Sequence, residues 1–205
     1  MRFPRAVAWL ALAVCLGLLG AACDQFHVQS GLLSYPDPWL WDQAAWVPLN
    51  FAVLLTALVA AAIPLGRIAA GRGVPEPGAG RLAADFAWFV GMYGLSGLMA
   101  PDEPGLLAVA YVALWLPRIA LRQDRSVLFP FGIALALAGC GVEAIEIELG
   151  WFSYADPDVA GVPFWLAGIY LHGAPLALDV ARRADAAGLG PARDTAGSLS
   201  PAASR

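Results

Sequence analysis

Lysine is absent from this 205-residue chain, and all twelve of its basic residues are arginines. Histidine occurs twice, cysteine three times, and charged residues make up only 14% of the sequence. Soluble domains carry about a quarter charged residues, so the shortage of charge excludes a cytosolic enzyme. The formal net charge of −4 leaves no basic surplus for nucleic acid. Three cysteines (Cys15, Cys23, Cys140) are too few for a disulfide-stapled secreted module. No phosphate-binding loop, nucleotide fingerprint or nucleophile–base motif occurs. No cofactor is implied.

What fills the chain is apolar surface: 60% hydrophobic residues and a mean hydropathy of +0.66. The charge comes in clusters between long uncharged stretches, which marks an integral membrane protein. A membrane helix needs about twenty mostly apolar residues, fewer where the bilayer thins. Six segments qualify: 6–23, 46–65, 86–99, 105–119, 126–142 and 160–178. The predicted fold is an all-α bundle of six transmembrane helices. The loop 67–81 reads as a flexible linker, and residues 184–205 as a tail too polar to order itself.

Arginine position sets the orientation. Arg2 and Arg5 precede the first span, and Arg67, Arg72 and Arg81 follow the second. Arg118, Arg122 and Arg125 follow the fourth, and Arg182, Arg183, Arg193 and Arg205 follow the sixth. Every arginine thus falls on one side, cytoplasmic by the positive-inside rule, with both termini inside the cell membrane. The opposite connections carry Asp24, Asp37, Asp42, Asp102, Glu103, Glu143, Glu146, Glu148, Asp156 and Asp158. Residues 1–23, ending in Gly20-Ala21-Ala22-Cys23, resemble a lipoprotein signal. Gly20 is a poor residue three places before a lipid-accepting cysteine, and the segment has a counterpart late in the chain. The expectation is a retained helix.

That counterpart comes from an internal repeat. Gly31, Ser34, Tyr35, Asp37 and Pro38 match Gly150, Ser153, Tyr154, Asp156 and Pro157 at identical spacing. An acid, Asp24 or Glu143, stands seven residues before each glycine, and a Val-Pro (Val47-Pro48, Val162-Pro163) follows each motif. Spans one–two and five–six are therefore related units running the same way, a parallel repeat about the membrane normal. Gly ends each outgoing helix, Ser-Tyr-x-Asp-Pro turns at headgroup depth, and Tyr35 and Tyr154 act as interfacial anchors.

Few polar residues remain inside the spans. His172 lies midway along span six, where a polar group faces the bundle and pairs there. Tyr170 flanks it in the same span, and Asn50, Tyr93 and Ser96 lie in other spans; with His172 they are the expected lining of a lipid cavity. Asp24 with His27, and Glu143 with Glu146, are each three apart and share a helix face. These four are the only candidate metal ligands, and an acidic, solvated rim is the simpler account of them. No metal is assigned.

Phe89-Val90-Gly91 with Ser96, Asp124-Arg125-Ser126 before span five, and Gly150 to Tyr154 with Pro157 and Asp158 resemble the insulin-induced gene (Insig) family in order and spacing. Trp46-Val47-Pro48 is similar to that family's opening of the second span. The resemblance covers roughly residues 46–183 and implies six membrane helices with cytoplasmic termini. It also implies an oxysterol-type ligand within the bundle and, through Asp124, a sterol-sensing escort partner. The lysine-free, alanine-rich sequence points to a prokaryotic member, for which lipid binding carries over and the escort partner does not.

Three function classes follow. The first is a non-enzymatic protein binding a sterol-like, diacylglycerol or isoprenoid lipid. The second is a small membrane enzyme acting on an isoprenoid or carotenoid, with the acids and His172 as acid–base groups. A transporter ranks last, because paired charges inside the spans are lacking. The orientation is directly testable. Reporter fusions after Gly73 and Ala184 are expected to read cytoplasmic, and one after Pro38 external; an external reading after Gly73 overturns the six-span topology.

Overall fold

A computed structural model describes residues 4–192. Within them lie helices α1 (Arg5–Gln29), α2 (Val47–Gly71), α3 (Ala79–Met99), α4 (Pro104–Ala120), α5 (Arg125–Glu148) and α6 (Leu166–Ala186). Two short strands, β1 (Leu33–Ser34) and β2 (Ser153–Tyr154), follow α1 and α5. Most helices overrun their apolar segments: α1 continues past Cys23 through Asp24 and His27, and α5 past Val142 through Glu143 and Glu146. A helix can extend beyond its hydrophobic run where its polar side chains find partners inside the bundle. The acids expected on a solvated rim are accordingly drawn inward: Asp24 is 5% and Glu146 8% exposed. At the other end of the chain, α6 reaches Ala186, and the Leu189 carbonyl accepts hydrogen bonds from Arg5 and Trp9. The remainder of the expected unstructured tail, 193–205, lies outside the described residues.

Helices α1, α2, α3 and α5 are long and apolar enough to cross a membrane; α4, at 17 residues, is shorter. Helix α6 carries Asp179, Arg182 and Arg183 in its second half. Its apolar part, 166–178, spans roughly 20 Å at 1.5 Å per residue, short of a 30 Å hydrocarbon core. The bundle compensates by wrapping it: α6 packs on α2, α3, α4 and α5. Gly168, Ala174, Ala177 and Ala181 are buried along it and let its neighbours approach closely.

The repeat is built into the backbone. Ser34 and Ser153, 119 positions apart, face each other across the antiparallel β1–β2 pair with hydroxyls 3.1 Å apart. The same offset relates structural details throughout both units. Gly31 (φ 75) and Gly150 (φ 74) each close a Schellman motif, with Leu32 N–H on the His27 carbonyl and Trp151 N–H on that of Glu146. Trp41 and Asp42 match Ala160 and Gly161 as the positive-φ centres of two tight turns. Gly20 seats the Phe51 ring, and Gly139 seats that of Tyr170. One sequence expectation changes: the partner of Trp46, which caps α2, is Trp165, which caps α6. Val162-Pro163 is thus not the counterpart of Val47-Pro48. The two tryptophans hold equivalent N-cap positions, whereas each proline only needs a place near the helix start where a missing donor costs nothing.

Close packing around α6 gives a stability prediction. A Cβ added at Gly168 collides with the Tyr111 ring, which is fully buried, whereas one at Gly141 meets nothing within 4 Å. Gly168→Ala is expected to lose about 1–3 kcal/mol, and Gly141→Ala to be neutral or slightly stabilising. Unfolding midpoints in mild detergent check this, and equal midpoints for the two variants contradict the packing account.

Candidate functional site

The equivalent acids of the two repeats, Asp24 and Glu143, meet near the strand end of the bundle. Tyr35 donates to Asp24 Oδ2 at 2.7 Å, and its counterpart Tyr154 donates to Glu143 Oε2 at 2.6 Å. Each carboxylate takes a second donor by different means. Gln43 Nε2 reaches Asp24 Oδ2 at 2.8 Å, whereas the Tyr170 hydroxyl reaches Glu143 Oε1. One turn on, Asn50 Nδ2 donates to Glu146 Oε1 at 2.9 Å. His27, the counterpart of Glu146, is 2% exposed and places Nε2 2.8 Å from Ser96 Oγ. These groups surround a cavity of about 50 Å³ walled by Trp46, Phe51, Leu54, Tyr93, Val142 and Phe152. Tyr154 also borders a larger recess of about 480 Å³ beneath the α3–α4 connection, where Asp102, Asp156, Asp158 and Phe164 gather.

The structure divides the residues expected to line a lipid cavity. Asn50, Tyr93 and Tyr170 line it directly. Ser96 stands behind it, bonded to His27 and to the Tyr93 carbonyl. His172 lies elsewhere: the Trp88 indole donates to its Nδ1 at 3.0 Å, and its Nε2 lies 3.1 Å from the Tyr111 carbonyl. Both ring nitrogens are thereby satisfied, and His172 ties α3, α4 and α6 together. Asp24, His27, Glu143 and Glu146, read from sequence as a rim, line the cavity instead. Among the described residues no three His, Cys, Asp or Glu side chains form a ligand set for a metal. Sequence reasoning passed over Gln43 and the hydroxyl roles of Tyr35 and Tyr154. The spacing held the signal, because acid and tyrosine are eleven residues apart in both units.

No protein-family model matches the chain, and no curated protein is similar to it. Two solved structures are. One is an Insig homologue, MvINS from Mycobacterium vanbaalenii, with 24% identity, TM-score 0.59 and coverage of 83% of this chain and 92% of that one. The other is a cross-linked MvINS trimer, with 26% identity, TM-score 0.61 and coverage of 85% and 94%. This chain is an Insig-like membrane protein. The likeness spans most of the chain, agrees with the motifs read from the sequence, and has one mycobacterial protein as its solved counterpart.

The Asp-Arg-Ser aspartate of this Insig-like protein, Asp124, sits at the opposite end in an ion lattice. Arg122 grips it through Nε and Nη2, both at 2.9 Å, and Arg81 Nη2 adds a third contact at 2.9 Å. Arg81 and Arg122 also hold Asp179 of α6, at 2.6 and 3.1 Å, while Arg118 and Arg122 share Asp85 of α3. Arg118 lies over the Trp88 ring, 5.0 Å from its centroid, linking the lattice to His172. Burial by itself raises the pKa of Asp124, but the Arg122 fork and Arg81 outweigh it and hold the group below its ordinary 3.8.

A depressed carboxylate stabilises the fold above its unfolded pKa and loses that contribution as pH falls through the folded value. The difference in unfolding midpoint between the unchanged protein and Asp124→Ala is therefore expected to hold from pH 7 to about 4 and to shrink below that. Asp124→Ala at pH 7 leaves Arg81 and Arg122 with only one of their two shared carboxylates and is expected to cost about 3 kcal/mol. A midpoint unchanged by Asp124→Ala removes the lattice from the account of stability.

Proposed function

We propose that this Insig-like protein lies in the inner membrane with both termini cytoplasmic and binds a membrane lipid in its bundle without transforming it. The one-sided arginines support the orientation. One observation carries the binding: α1, α2, α3, α5 and α6 each bring polar groups to a single cavity whose walls are otherwise apolar and aromatic. That combination, with Asn50, Tyr93 and Tyr170 among the linings, suits a head held by a few polar contacts and a tail left in apolar surroundings. Candidate ligands are sterol-like, diacylglycerol and isoprenoid lipids. The escort-partner role is not included, because Asp124 is 1% exposed and occupied by arginines of its own chain.

A second reading has its own observation. Two tyrosine-held carboxylates facing one cavity form a pair of the kind that passes protons to and from an apolar chain, as a small isoprenoid-modifying enzyme requires. Native mass spectrometry of protein extracted in mild detergent separates the two. Under the binding reading, lipid co-purifies, and Tyr93→Trp or Asn50→Leu lowers its occupancy about tenfold, a change of about 1.4 kcal/mol. Leu137→Ala, on the exposed face of α5, leaves it unchanged. Full occupancy in both cavity variants defeats the binding reading. Turnover of an added isoprenoid that Glu143→Gln abolishes establishes the enzymatic one.

A further inference from the structure

The buried acids at the two ends of the bundle are matched in opposite ways. At the arginine end Asp85, Asp124 and Asp179 each pair with at least one guanidinium. At the cavity Asp24, Glu143 and Glu146 meet only neutral donors: Tyr35, Gln43, Tyr154, Tyr170 and Asn50. No described arginine reaches them. A carboxylate cluster at this depth is neutralised either by taking up protons or by a cation from outside the protein.

The hydrogen-bond count shows what is missing. Both donors to Asp24 fall on Oδ2, leaving Oδ1 open, and Asn50 fills only Oε1 of Glu146. His27 supplies a third open acceptor. Ser96 has one hydroxyl hydrogen, and it goes to the Tyr93 carbonyl at 2.8 Å. Ser96 Oγ therefore accepts from His27, so Nε2 carries the imidazole proton and Nδ1 is a bare lone pair. No described residue donates to that nitrogen, although His27 is 2% exposed and lines the cavity. Three residues with an acceptor that lacks a donor, Asp24 and His27 of α1 and Glu146 of α5, thus line one space of about 50 Å³.

We propose, building on the lipid-binding reading above, that the ligand is an amphiphile whose head is a protonated amine, held by Asp24, Glu146 and His27. A primary ammonium brings three N–H donors and one positive charge in a volume comparable to the roughly 30 Å³ share of one water. The cavity's aromatic faces favour a cation as well. A hydroxyl head offers one donor and no charge, and a carboxylate or phosphate is repelled. The tail leaves between α2 and α5, which touch only sparsely, past Leu54 and Val142.

The full chain in phosphatidylcholine nanodiscs at pH 7 is titrated with dodecylamine, dodecanol and dodecanoate, and occupancy is read by native mass spectrometry. Dodecylamine is expected to bind at least about tenfold tighter than dodecanol, with dodecanoate weakest. Asp24→Asn and Glu146→Gln, near-isosteric changes, bring dodecylamine down to the level of dodecanol and leave dodecanol within about twofold. Glu148→Gln, on the exposed surface, alters neither. Dodecanol binding as tightly as dodecylamine overturns the ammonium assignment and leaves lipid binding standing. A preference that survives both cavity variants marks surface adsorption and also overturns it. Binding of none of the three, with no co-purified lipid, removes both readings.

Discussion

Asp179 is fully enclosed in the most buried helix of the bundle, and a charge left alone there is among the costliest features a membrane fold can carry. Its closest partners come from outside α6, Arg81 from α3 and Arg122 from the α4–α5 connection, with Arg182 of α6 itself 4.0 Å away. The same two arginines hold Asp124 at the start of α5, and Arg122 also reaches Asp85 on α3. Matching one buried charge therefore fixes the relative positions of four chain segments. A helix whose apolar part is too short to cross the hydrocarbon by itself can occupy the centre because its polar half is neutralised by protein. Arg182 extends the seal by donating to the Val74 and Pro75 carbonyls of the loop after α2. That loop, read from its Gly-Pro content as a flexible linker, is pinned where Arg182 touches it.

With that end locked, the opposite end is organised by the repeat. The two-fold relation passes between Ser34 and Ser153, and everything it generates near them is paired: two Schellman turns, two tight positive-φ turns and two tyrosine–carboxylate bonds. At the cavity the two units depart from symmetry. Phe51 is the counterpart of Tyr170, Gln43 of Val162, and His27 of Glu146. A symmetric pocket would present the same chemistry twice. These three differences give one unit a second tyrosine donor and the other an amide and an imidazole. The structural frame stays duplicated while the polar lining has diverged.

Asp124 illustrates how a family motif and its physical role can separate. The resemblance attaches a partner's recognition to this aspartate, yet here its carboxylate is enclosed and forked by Arg122. Its charge shapes the end of the bundle from within, so any effect on a neighbouring protein runs through the arrangement of α3, α5 and α6. His172 is similar. Its depth in a span suggested contact with a ligand, whereas the Trp88 indole and the Tyr111 carbonyl satisfy both nitrogens.

The sequence by itself determined the parts of this protein that depend on local chemistry and on the bilayer. Apolar length set the six helices, glycine's tolerance of positive φ set the turns after α1 and α5, and the repeated acid, glycine and tyrosine set the kinship of the two units. Tertiary structure alone decided where the charged and polar side chains look. Asp24 and Glu146 read as a solvated rim because hydropathy reports only whether a residue suits lipid, and it is silent about partners brought from another helix. Gln43 lies nineteen residues from Asp24, and Asn50 lies ninety-six from Glu146. No periodicity in one segment encodes such separations. Only packing the two units about their common axis closes them, and with them the cavity.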